Sequence, residues 1–213
     1  MTAKSFEDFD KLLALYGKRK HPLDYANRYQ LIVMVILSAR DSDRHINTIA
    51  PRLFKDYPTL TALAAARMDD LLAHIGEVTN GANKGQWLLR LAKSVGSDEQ
   101  IPTKLDALIE LPGIGRKSAN VIIRESGGEA EGIIVDLHVI RTAPRIGIAT
   151  GAQPEKIEKQ LMGFFPKKLW NEAGMALSFL GREICRPSNP KCEVCPVNGV
   201  CDFCQGGKAG TQA

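Results

Sequence analysis

The chain has 213 residues, with 28 Lys+Arg against 24 Asp+Glu, 44% hydrophobic and 6% aromatic residues, 19 Gly, 11 Pro and 5 Cys. That length suits one large or two small domains with a buried core, and Gly plus Pro stand far below collagenous or low-complexity levels. The net charge of +4 permits a local nucleic-acid patch without requiring one, and the longest apolar run, residues 31–37, is too short to cross a bilayer, so a non-secreted, cytoplasmic globular protein is expected.

Helical periodicity dominates the chain. Ser5 with Asp8 three residues on has the form of a capping box, followed by Phe6, Phe9, Leu13 and Tyr16 on one face and Gly17 as a stop. Asp24 is placed to cap a second helix through Tyr29 and the apolar run to Ala39, and its length favours a buried helix over a strand. Asp41 or Ser42 opens a helix toward Tyr57 that Pro51 kinks or divides. Short helices are expected near 59–65 and 68–75, a polar EVTNGAN loop between Gly76 and Lys84, and a longer helix over 84–95. The stretch TKLDALIELPGIGRKSANVIIRESG reads as helix, tight glycine turn, helix. Residues 132–140, GIIVDLHVI, have strand propensity. Pro154 suits the first position of a helix over 155–162, and Leu169, Ala173, Ala176, Leu177 and Leu180 stripe a last helix stopped by Gly181. The polar, Gly-rich tail from Gln205 reads as disordered. The fold class is all-α.

Chemistry concentrates in three places. In Leu111-Pro112-Gly113-Ile114-Gly115, two glycines directly before a helix let backbone approach an anion, and the first amides and dipole of that helix attract it. An extended phosphodiester is a natural guest, because such a site holds phosphate without reading a base; a plain helix–helix connection has the same form. Arg116 and Lys117 follow at once, where positive charge opposes the helix dipole and so calls for a reason. Lys117 fits either a phosphate clamp or a nucleophile, and a nucleophilic lysine needs its pKa depressed from about 10.4 by roughly 3 units.

Asp136 lies in an apolar stretch, where an acid is costly unless it caps a helix or does chemistry. An N-cap for residues 137–145 and a catalytic carboxylate are compatible roles, while His138 reads as structural. The cysteines form C-x6-C-x2-C-x5-C over Cys185, Cys192, Cys195 and Cys201, with Cys204 left over and none earlier in the chain. Zinc ribbons usually pair two C-x2-C knuckles set well apart. Four thiolates within residues 185–201 and only one such knuckle suit a compact iron–sulfur cube, with zinc as the second reading.

Together, LPGIGRKSANVI, VDLHVIR and the cysteine array closely resemble the endonuclease III family of helix–hairpin–helix DNA glycosylases, in consistent order from about residue 24 to Cys201. The resemblance implies two lobes. One is a six-helix barrel over 24–131 with its helix–hairpin–helix near 104–124; the other is an iron–sulfur cluster domain from 1–23 and 132–204, with 205–213 a disordered tail. It implies an active site in the cleft between the lobes, Lys117 as the nucleophile, Asp136 as the essential aspartate, and a [4Fe-4S] cluster on Cys185, Cys192, Cys195 and Cys201. Contacts to DNA are expected from Arg40, Asn83, Lys84, Gly113, Gly115, Arg116, Arg186 and Lys191. The implied function is a bifunctional DNA glycosylase/AP lyase of base excision repair, removing oxidised pyrimidines from double-stranded DNA and cutting at abasic sites. It would act as a monomer without a membrane, in the cytoplasm and nucleoid-associated if bacterial.

Four positions depart from the family pattern. Arg40 stands where a glutamine is usual, the 76–84 loop is about three residues longer and lacks an obvious apolar wedge, Leu137 replaces a small polar residue, and RPSNPK is less basic than usual. These touch strand opening and lesion choice, so an AP lyase with little glycosylase activity is the alternative. A catalytically weak damage-binding module and an electron-transfer iron–sulfur protein follow it.

Overall fold

The structure, a computed structural model, describes residues 4–206. The chain forms two compact units: one joins the segment up to Lys20 with the segment from Glu129 onward, and the other is His21–Gly128. Among the described residues every regular element is helical, and no helix is long and apolar enough to cross a membrane.

A 3-10 turn over Phe6–Phe9 leads into α1 (Asp10–Tyr16). The capping box forms: the Ser5 amide donates to the Asp8 carboxylate at 2.8 Å and the Glu7 amide to the Ser5 hydroxyl at 3.4 Å. Gly17 closes α1.

In the unit His21–Gly128 the central element is α2 (Arg28–Ser38), which is apolar all round and buried from Leu31 to Leu37, as a helix without a polar face must be. Its cap is Asn27, whose side chain accepts from the Gln30 amide at 2.9 Å. The expected cap, Asp24, lies outside the helix, its own amide donating to Asn47 Oδ1 at 2.9 Å. Ser42 caps α3 (Asp43–Asp56), which runs unbroken through Pro51. Then come α4 (Leu60–Ala64), α5 (Met68–Ile75) and α6 (Gly81–Val95). The last begins before Lys84, because Asn80 turns the chain in the left-handed region at φ +62° and shortens the expected loop to residues 76–80. Finally, α7 (Leu105–Ile109) and α8 (Arg116–Glu125) pack on each other. Helices α3, α6 and α8 pack around α2, and α4 and α5 pack on α6.

The other unit resumes with residues 129–136, where Ile133, Ile134 and Val135 of the strand-like GIIVD are buried but form no strand. Its neighbours are helices: α9 (Leu137–Ile146), α10 (Pro154–Phe164) and α11 (Trp170–Glu183). Gly174 of α11 lets the backbone of Ile134 approach so closely that a β-carbon there would sit 2.7 Å from its N and O atoms. Two turns further along the same face, Gly181 does the same for α9, with a β-carbon 2.8 Å from that of His138. Gly181 therefore lies inside α11 as a packing residue and does not stop it. Tyr16 of α1 stacks on Phe179 of α11 at 6.0 Å. A short α12 (Asp202–Gln205) packs on α9, so Gln205 is helical, and the tail expected to be disordered otherwise lies outside the described residues beyond Gly206.

Candidate functional site

The hairpin turn is built by its first glycine and left open at its second. Gly113 takes φ +80°, and a β-carbon on it would lie 2.8 Å from the Trp87 ring, so both conformation and space require glycine. Gly115 caps α8 at φ −95° with no side-chain cap, and a β-carbon on it would meet nothing within 4 Å. The head of α8 is therefore a face that other chemistry can approach. Arg116 and Lys117 are the first two residues of this helix, both exposed.

Asp136 is fixed from both oxygens. Oδ1 accepts the amides of His138 and Val139, each at 2.9 Å, as the N-cap of α9. Oδ2 accepts the Ser178 hydroxyl at 2.6 Å, and Arg182 stands 3.8 Å from it while donating through Nε to Ser178 at 3.4 Å. A carboxylate has about four acceptor sites, so this dressing leaves Oδ2 with capacity for one further partner. Leu137 beside it is 67% exposed. Ser178 and Arg182 were invisible to motif reasoning because they lie one helical turn apart on a distant element.

Lys84 is not a surface contact for DNA. It is 2% exposed, and its Nζ donates to the carbonyls of Leu37 at 2.7 Å and Ala39 at 2.6 Å. The ammonium thereby closes the C-terminal end of α2, which would otherwise leave these acceptors unpaired. Burial lowers its pKa, opposed by the charge of Asp41. Asp41 fastens the neighbouring loop: Oδ2 accepts the Thr79 amide at 2.8 Å, and Oδ1 accepts the Ser42 amide at 2.7 Å and lies 2.9 Å from His45 Nδ1. Burial alone would raise the Asp41 pKa, but these partners hold it at about 2. Arg40, between these anchors, is exposed and takes φ +59°, a conformation that costs a non-glycine residue about 1 kcal/mol. Asn83 is exposed and donates to the Asn80 side chain at 2.8 Å. Within residues 76–80 the apolar side chain, Val78, is 3% exposed.

All five cysteines line one cavity, walled by Ile146, Leu180, Ile184 and Phe203. Cys185, Cys195 and Cys201 are buried, while Cys192 and Cys204 are half-buried. Burial pushes the Cys195 thiol up to about 11, so a thiolate there needs positive charge close by. Arg145 of α9 brings positive charge to Cys185, donating to its Sγ at 3.7 Å, to the Arg186 carbonyl at 2.8 Å and to that of Pro187 at 3.1 Å. Arg141 donates to the Cys185 carbonyl at 3.1 Å and to that of Gly181 at 2.8 Å. The cysteines that line this one cavity are the donor set that an iron–sulfur cube takes. Arg186 and Lys191, in the loop these arginines hold, are exposed.

Comparison with known proteins agrees with this geometry. Residues 33–167 match the HhH-GPD superfamily of base excision DNA repair proteins, and residues 185–201 match the iron–sulfur binding domain of endonuclease III. Endonuclease III of Synechocystis sp. is 33% identical over 91% of this chain and 90% of its own length. That of Rickettsia felis is 34% identical over 91% and 93%. A solved structure of a trapped endonuclease III–DNA covalent intermediate, in an estranged-adenine complex, superposes with TM-score 0.85 at 29% identity, covering 94% of this chain and 95% of that one. The chain belongs to the endonuclease III family within the HhH-GPD superfamily, the bifunctional DNA glycosylase/AP lyases of base excision repair, and its cofactor is a [4Fe-4S] cluster, which displaces zinc.

Proposed function

We propose that this chain removes oxidised pyrimidines from double-stranded DNA and cuts the strand at the resulting abasic site, with Lys117 as nucleophile and Asp136 as its carboxylate partner. The observation that carries the reading is Lys117 itself, exposed at the second position of α8 directly after a glycine turn that backbone can approach. The open face of Gly115 and the positive end of the α8 dipole hold a phosphate of the damaged strand. The target nucleotide leaves the stack, since its C1′ is out of reach inside the duplex.

The chemistry then follows from the two side chains. Neutral Lys117 Nζ forms a bond to C1′ as the glycosidic bond breaks, and the base leaves with the electron pair and takes up a proton. Oδ2 of Asp136 stabilises the positive charge that grows on the sugar, and the three hydrogen bonds that fix the carboxylate remove the need to reorient. The amine proton passes to O4′ as the C1′–O4′ bond breaks, which opens the sugar ring to an iminium. Removal of a C2′ proton then expels the 3′ phosphate and nicks the strand. Cys185, Cys192, Cys195 and Cys201 would hold the cluster, which would give rigid support to the loop that displays Arg186 and Lys191 to phosphates. The protein acts as a monomer on duplex DNA, away from membranes.

The buried Val78 favours a narrower second reading, in which the lyase is strong and base release weak. Residues 76–80 expose no apolar wedge, and unstacking a base costs a few kcal/mol. Parallel assays on duplexes carrying thymine glycol or a preformed abasic site separate the two. Comparable turnover on both supports the bifunctional enzyme, while rapid nicking of the abasic duplex with little base release supports the second reading. Inertness on both overturns the proposal.

A further inference from the structure

The cavity lined by the cysteines contains one thiol more than a cube requires. We propose that Cys204 is a reserve ligand of the cluster, able to take the iron that Cys192 holds; this rests on the reading of Cys185, Cys192, Cys195 and Cys201 as the primary ligands.

The segment that matches the iron–sulfur binding domain ends at Cys201, so the family pattern leaves Cys204 without a role. Yet Cys204 lines the same cavity as the four, and Cys192 and Cys201 are the cysteines whose side chains act on its thiol. It is held there by more than its own short helix. Lys4 Nζ pairs with Asp202 at 2.6 Å, the Arg145 guanidinium lies 4.6 Å from the centre of the Phe203 ring, and the Gln205 side chain donates to the Asn198 carbonyl at 2.9 Å. The residues on both sides of Cys204 are thus anchored to three other parts of the unit.

Of its two thiol neighbours, Cys192 is the one to be replaced. Cys201 is 3% exposed, and its sulfur lies 3.5 Å from the Arg145 carbonyl. Cys192 is half-buried at the head of a 3-10 turn, Cys192–Val194, so solvent and oxidants reach it before the other three. The exchange is redox-neutral. The Cys204 thiol gives up its proton as its sulfur binds iron, and the released Cys192 sulfur takes up a proton. A chain that has lost Cys192 to oxidation would keep its cluster.

The test measures iron and acid-labile sulfide per chain, with visible absorption, in anaerobically purified protein. Circular dichroism of each variant monitors folding. Cys204→Ala should retain the iron of the wild type. Cys192→Ala should retain at least about half of it, whereas Cys195→Ala and Cys192→Ala/Cys204→Ala should lose nearly all. Iron loss in Cys192→Ala as complete as in Cys195→Ala overturns the proposal, as does iron loss in Cys204→Ala alone or full retention in the double variant. A second measurement needs no variant. Limiting iodoacetamide on the wild-type holoprotein should leave one label per chain, divided between Cys204 and Cys192, without loss of iron. A label confined to Cys204 overturns the exchange. Wild-type protein without iron overturns the ligand assignment itself, which separates that failure from this one.

Discussion

The Ser178 hydroxyl donates a 2.6 Å hydrogen bond to Oδ2 of Asp136, joining α11 to the first turn of α9 across 42 residues of sequence. The other oxygen of the same carboxylate caps α9. One side chain therefore starts a helix, ties two helices together and is the candidate for stabilising charge on the sugar. Ser178→Ala should cost about 1–3 kcal/mol of stability, because a buried acceptor loses its donor. It should also slow single-turnover base release by about 10-fold, ~1.4 kcal/mol in the barrier. A lower melting temperature with unchanged chemistry would make Ser178 purely structural.

Lys84→Met tests whether that ammonium is a cap or a DNA contact. Its removal leaves the Leu37 and Ala39 carbonyls without the donor they now share, at a cost of about 2 kcal/mol. The salt dependence of DNA affinity should be unchanged. Removing a cation that binds phosphate would instead lower the slope by about one unit, and Arg116→Ala should show that behaviour.

The two glycines of the hairpin should separate cleanly. Gly113→Ala meets both φ +80° and the Trp87 ring, so the turn should lose at least about 1 kcal/mol and carry the head of α8 with it. Gly115→Ala, with φ −95° and open space, should leave thermal stability nearly unchanged. If phosphate approaches there, the added methyl should weaken DNA binding several-fold. Unchanged affinity would move the anion site elsewhere.

Asp41 makes a pH prediction with a defined sign. Its folded-state pKa is held at about 2 against an ordinary value of 3.8, so its stabilising contribution is complete above the unfolded value and is lost as pH falls from about 4 toward 2. At roughly 1.4 kcal/mol per unit the contribution is at most about 2.5 kcal/mol. Asp41→Asn should flatten acid unfolding in that window and lower stability at neutral pH. An acid limb identical to that of the wild type would contradict the assignment.

Local signals explain what the sequence made legible. The Ser5–Asp8 capping box, Ser42 at the head of α3, the short helices near 59–65 and 68–75, and Pro154 at a helix start all depend on neighbours within one turn. What escaped depends on tertiary distance. Asn27 and Asp24 are both good caps, and the packing of α2 selects Asn27. Gly181 has the form of a stop, but the approach of α9 makes it a contact inside α11. The 132–140 segment has β-branched residues suited to burial, which helices satisfy as well as a sheet does. At the site, Lys117, Asp136 and the cysteines were legible as motifs. Ser178, Arg145 and the inward turn of Lys84 were not, since their partners lie tens of residues away.

The most direct measurement is borohydride trapping on a duplex carrying thymine glycol, with the wild type, Lys117→Ala and Lys84→Ala side by side. A covalent protein–DNA adduct with the wild type and Lys84→Ala, absent with Lys117→Ala, is the predicted result. An adduct that persists in folded Lys117→Ala, or none with the wild type despite DNA binding, would contradict the assignment of Lys117 as the nucleophile.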